Sequence, residues 1–130
     1  MSKLHPMPVP PLQETLSQIW GPVRSAGGTT FPFFTLNYPR TIVAHSDDER
    51  LIANIIITPD RQTQIIFHTD DPELENATVR FDVRVLSDEA AEPVPFTEGE
   101  VKLSPREGAC QIESPKQDDV LFVRFAVLDR

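Results

Sequence analysis

Within Ala77 to Leu86, apolar and polar side chains alternate as far as Val85. Ala77, Val79, Phe81, Val83 and Val85 fall on one side, and Thr78, Arg80, Asp82 and Arg84 on the other. A period of two marks a β-strand with one buried face and one wet face, because successive side chains point to opposite sides of a sheet. Val120 to Leu128 repeats the pattern, with Leu121, Val123, Phe125 and Val127 opposed to Phe122, Arg124 and Ala126. Strands of this kind constrain the chain to a sheet whose apolar face is covered by another layer.

The intervening segments supply that layer. Arg50 to Thr58 contains Ile52, Ile55, Ile56 and Ile57, so apolar side chains lie on both faces, and the expected strand is central and covered on two sides. Pro59-Asp60-Arg61-Gln62 is a turn, since proline presets the first central position of a type I turn. Thr63 to Thr69 then returns with Ile65, Ile66 and Phe67 as the second strand of a hairpin. Shorter strands are expected at Thr29–Leu36, Thr41–His45, Glu100–Ser104 and Ala109–Glu113. Gly27-Gly28 reads as a turn, and Ser87 to Pro95, acidic and proline-bearing, as a loop.

One helix is expected. Pro11 suits a first helical position, Leu12, Leu16, Ile19 and Trp20 form a stripe at helical spacing, and Gly21-Pro22 stops it. About ten residues of helix are too few to stand alone, so this element packs on the sheet. The predicted fold is mainly β: an antiparallel β-sandwich or barrel of about 7–8 strands with one short N-terminal helix. Residues 1–10, with Pro6, Pro8 and Pro10, form a proline-rich arm, and residues 11–130 a single β-rich domain. Ile55, Ile57, Phe67, Val79, Phe81, Val83, Val123 and Phe125 are expected to share one core.

With 20 acidic against 12 basic residues, the formal net charge is −8. Such a chain repels phosphate backbones, so nucleic acid is not expected as a partner and a basic protein surface is the better complement. No stretch approaches the ~18 apolar residues of a membrane span, and no apolar leader follows Met1-Ser2-Lys3. The single cysteine, Cys110, has no partner for an internal disulfide and no neighbouring cation or histidine in sequence to activate it. A cytoplasmic protein with no cofactor is the expectation.

Three groups of residues are candidates for function. His45-Ser46-Asp47-Asp48 and His68-Thr69-Asp70-Asp71 share one pattern, each at the end of an apolar strand. If the strand ends meet, His45, Asp47, Asp48, His68, Asp70 and Asp71 converge as a mixed ligand set of the kind that holds Mn, Fe or Zn, while carboxylates alone suit Ca²⁺. The competing explanation is that Ser, Thr and Asp at strand ends make turns by bonding their own backbone. Arg80, Arg84 and Arg124 share wet faces and form either an anion cradle or a cross-strand charge pattern with Asp82 and nearby acids. Trp20, Phe31, Phe33, Phe34 and Tyr38 form an aromatic end that serves as core, as a ligand pocket or as an interface.

No Gly-x-Ser-x-Gly, Gly-rich phosphate loop or compact Cys/His spacing is present. The leading reading is therefore a non-catalytic binding module that self-associates, most simply as a homodimer. Pro32 makes Thr29–Leu36 an edge strand, and its phenylalanines need a cover. The rival reading is a small metal-dependent β-barrel enzyme, or a small-ligand carrier, using the two His-[Ser/Thr]-Asp-Asp segments.

Overall fold

The computed structural model of the chain describes residues 11–32, 40–58, 62–87, 91–113 and 119–129. The helix, α1 (Leu12–Trp20), begins after Pro11 and ends at Gly21, whose φ of 83° is open to glycine and whose N–H reaches the Ser17 carbonyl at 3.0 Å. Eight strands follow: β1 (Val23–Pro32), β2 (Arg40–His45), β3 (Leu51–Ile57), β4 (Gln62–Thr69), β5 (Thr78–Leu86), β6 (Val94–Lys102), β7 (Glu107–Glu113) and β8 (Val120–Leu128).

They form two four-stranded antiparallel sheets, the first ordered β1-β8-β5-β6 and the second β2-β3-β4-β7. The architecture is a sandwich and not a closed barrel. The expected β3–β4 hairpin is present, in register from Leu51 opposite Thr69 to Ile57 opposite Thr63. All eight residues assigned to a shared core lie in it, with Phe67 tilted against Phe81 and Phe125 at centroid distances of 6.0 and 5.6 Å. A second, smaller cluster joins α1 to the outer face of the first sheet: Leu16, Val23, Ala26, Ala126 and Leu128, flanked by Leu12 and Trp20.

Three expectations are corrected. Gly27-Gly28 is not a turn but the middle of β1, opposite Phe125 and Arg124. A Cβ on Gly27 would stand 2.5 Å from the His45 carbonyl oxygen and 2.7 Å from Ser46 Cα, so only glycine lets the two sheets close at this bridge. Strand β6 starts at Val94, well before Glu100, because its ladder with β5 supplies the strand conformation that Pro95, Glu98 and Gly99 do not advertise. Finally, β3 is central but not covered on both sides among the described residues. Its inward residues are buried, while Ile52, Asn54 and Ile56 on the other face are only half-buried, because α1 lies on the opposite sheet.

Candidate functional site

The two strand ends carrying the His-[Ser/Thr]-Asp-Asp segments do meet, and what they meet around is an arginine. Arg50 donates from Nε to Asp48 Oδ2 at 2.9 Å, from Nη1 to Asp71 Oδ2 at 3.2 Å, and from Nη2 to the Arg24 carbonyl at 2.7 Å. Asp48 Oδ1 also accepts from the hydroxyls of Ser25 at 2.6 Å and Ser46 at 2.7 Å. Thr69 donates to the Arg50 carbonyl at 2.7 Å and accepts from the Asp71 N–H at 3.0 Å. The cluster thus ties β1 of the first sheet to the β2–β3 and β4–β5 connections.

Its electrostatics are those of a closed latch. Partial burial works to raise the Asp48 pKa, but hydrogen bonds from Ser25, Ser46 and Arg50 outweigh it and hold the carboxyl at about 2. Asp71 is held below its ordinary value, first by the Glu73 backbone N–H and then by Arg50 against an opposing desolvation. The hydrogen bond to Asp48 in turn raises the Arg50 guanidinium.

The histidines do not join this cluster. His45 and His68 both lie opposite Ile52, on the outer face of the second sheet, and His68 Nε2 stands 2.9 Å from Asp70 Oδ1. Asp47 Oδ2 accepts from the backbone N–H of Gln13 at 3.3 Å. Among the described residues, no three His, Cys, Asp or Glu side chains are placed to hold a metal ion. Arg50 was absent from the sequence-derived candidates. Its signal is a lone arginine directly after Asp47-Asp48-Glu49, a position where one guanidinium can serve several carboxylates.

On the outer face of the first sheet, each candidate arginine stands near a carboxylate. Arg124 forks onto Asp82, with Nε donating to Oδ1 at 2.9 Å and Nη2 to Oδ2, and this bond raises the guanidinium. Arg80 Nη2 lies 3.6 Å from Glu98 Oε2, and its guanidinium sits 5.3 Å from the centre of the Trp20 ring. Arg84 Nε is 3.8 Å from Asp82 Oδ2. The arrangement is the cross-strand charge pattern, with Trp20 engaged between helix and sheet. Phe31 is 5% exposed and belongs to the core rather than to a surface. Phe33, Phe34 and Tyr38 lie outside the described residues.

The outer face of the second sheet is different. Val43 stands opposite Asn54, which stands opposite Ile66, which stands opposite Ala109. Ile52 and Ile56 flank Asn54 along β3, so the amide sits inside a ring of four aliphatic side chains. Val43 is 52% exposed, and Ile52, Ile56 and Ile66 are half-buried. This face was missed by sequence reasoning, because an Ile-rich strand reads as buried on both sides until the position of the helix is known.

No family model matches the chain, and no curated protein matches it. Among solved structures it is similar to the Avr2 effector protein from the fungal plant pathogen Fusarium oxysporum. The likeness has a TM-score of 0.56 and 14% identity over 79% of this chain and 88% of that one. At that identity the two share a fold, and a fold alone does not carry a function.

Proposed function

We propose that this chain is a non-catalytic binding module whose working surface is the outer face of the second sheet. The observation that carries the reading is the aliphatic ring of Val43, Ile52, Ile56 and Ile66 on a face without a covering layer among the described residues. On the first sheet, α1 caps Val23, Ala26, Ala126 and Leu128, while Val94 and Phe96 of β6 stay exposed singly near its far edge. Contiguous apolar side chains on an open face are the usual mark of an interaction site. The metal-dependent alternative has less support, since Asp48 and Asp71 are already engaged by Arg50.

A photo-crosslinking residue placed at Val43 in cells making the protein tests this. A discrete adduct from position 43, with none from Glu98 on the other sheet, is expected. Adducts from position 98 alone, or from neither, would sink the assignment.

Self-association is a second reading, favoured by the place of β1 at an edge of its sheet with Pro32 at its end.

A further inference from the structure

We infer that the partner seated on the outer face of the second sheet is a cationic amphipathic protein segment, one that sets aliphatic side chains against Val43, Ile52, Ile56 and Ile66 and lysines or arginines around them. This inference rests on the assignment of that face as the working surface.

The charge distribution around the ring selects the occupant. The outward positions of the described strands run Thr41, Val43 and His45 on β2, Ile52, Asn54 and Ile56 on β3, Gln62, Gln64, Ile66 and His68 on β4, and Glu107, Ala109, Gln111 and Glu113 on β7. None is Lys or Arg. Glu107 and Glu113 stand at the two ends of the edge strand β7, and Asp70, 2.9 Å from His68 Nε2, extends the rim past His68. The nearest arginines at that end do not neutralise it, because Arg50 is held by Asp48 and Asp71, and Arg106 by Glu75 at 2.8 Å.

A second copy is the poorer occupant. Face against face, two such surfaces bring Glu107 and Glu113 of each copy together with no Lys or Arg at the outward strand positions among the described residues, and each copy carries a net charge of −8. A cationic segment instead gains apolar burial at the centre and opposite charge at the margin, the arrangement of an apolar core with a polar rim. Asn54, at the centre of the ring, adds an NH2 group with two N–H donors and a carbonyl acceptor that give such a segment a defined position.

The test is a titration of the full chain, followed by amide chemical shifts, with a short amphipathic Leu/Lys peptide as the probe. Matched Leu/Glu and Ser/Lys peptides are the controls. The Leu/Lys peptide is expected to saturate, shifting amides of β2, β3 and β4, with binding weakened by added salt. The Leu/Glu and Ser/Lys peptides are each expected to bind at least about tenfold more weakly. Val43→Asp should weaken Leu/Lys binding by about tenfold or more, as for the loss of a central contact. Because a substitution within the ring can disturb the sheet, Glu107→Lys, at an exposed edge position, provides the second variant, with a several-fold loss expected.

Equal binding of the Leu/Glu peptide, or shifts confined to the first sheet, would overturn the inference. Shifts in β2–β4 that grow with protein concentration in the absence of peptide would overturn it in favour of a second copy. Contacts from the Met1 or Met7 methyls to Ile52 or Ile66 would overturn it in favour of the chain's own N-terminal segment. If the peptide fails while position 43 still crosslinks in cells, the partner chemistry is wrong and the binding surface stands. If both fail, the surface itself is wrong.

Discussion

Asp48 shows how one carboxylate becomes structural. It is the point where a loop of the second sheet reaches Ser25 of the first, and four donor groups converge on its two oxygens. Its folded-state pKa of about 2 lies below the ordinary value of 3.8, so the stabilisation is fully present above about pH 4. It is lost as pH falls through about 2. The shift corresponds to on the order of 1–2 kcal/mol after solvent screening of a partly exposed side chain. Asp48→Asn is therefore expected to lower the urea midpoint at pH 7 and to lose its difference from the parent protein near pH 2. Cys110 makes the opposite point: burial alone pushes its thiol up to about 11, which leaves little thiolate at neutral pH. Iodoacetamide is expected to label it slowly in the native protein at pH 8 and rapidly in urea. Fast native labelling would place the thiol in a more open setting.

At the scale of elements, the contacts that matter are the close approaches. Strand β1 touches the β2–β3 corner at Gly27, where backbone meets backbone with no flexible side chain to give way. Gly27→Ala is expected to cost about 1–3 kcal/mol by forcing the sheets apart, read as a lowered denaturation midpoint. The α1 helix is held by a small cluster around its one buried residue, Leu16, together with Trp20 beneath the Arg80 guanidinium. Leu16→Ala is expected to release the α1 amides to rapid hydrogen exchange while β3, β4 and β8 stay protected, because the inter-sheet core does not include the helix. Loss of protection throughout would mean that the helix and sandwich fold as one unit.

For the whole molecule, the inter-sheet core is the main reservoir of stability. Phe67 is fully buried and touches rings from both central strands of the opposite sheet, so Phe67→Ala is expected to cost ~3–5 kcal/mol. The quaternary state is read by light scattering. The self-association proposal expects twice 14.6 kDa, reduced to the monomer mass by Phe34→Asp with the far-UV β signal intact. A mass of 14.6 kDa over a wide concentration range would remove that reading and leave the proposal of a contact on the outer face of the second sheet to its own test.

Alternation is a local property, so β5 and β8 and their inward faces were legible in the chain itself: Val79 to Val85 and Leu121 to Val127 point inward as their period of two requires, whereas Gly27-Gly28 and the start of β6, which do not alternate, were not. Helix α1 was likewise legible from Pro11, its apolar stripe and Gly21, and the β3–β4 hairpin from two apolar runs around a turn. Only the tertiary structure decided which strands share a sheet, placing the consecutive strands β6 and β7 in different ones. It also decided that Asp48 and Asp71 of the two His-[Ser/Thr]-Asp-Asp segments meet on Arg50 while His45 and His68 lie on the outer face, because Asp48 and Asp71 come together only through the β3–β4 hairpin. The open aliphatic face depends on the same kind of distant contact. Ile52 and Ile56 look the same in sequence whichever sheet the helix covers, and the helix settles on the first sheet because Gly28, Ala26 and Ala126 leave room there for Leu12 and Leu16.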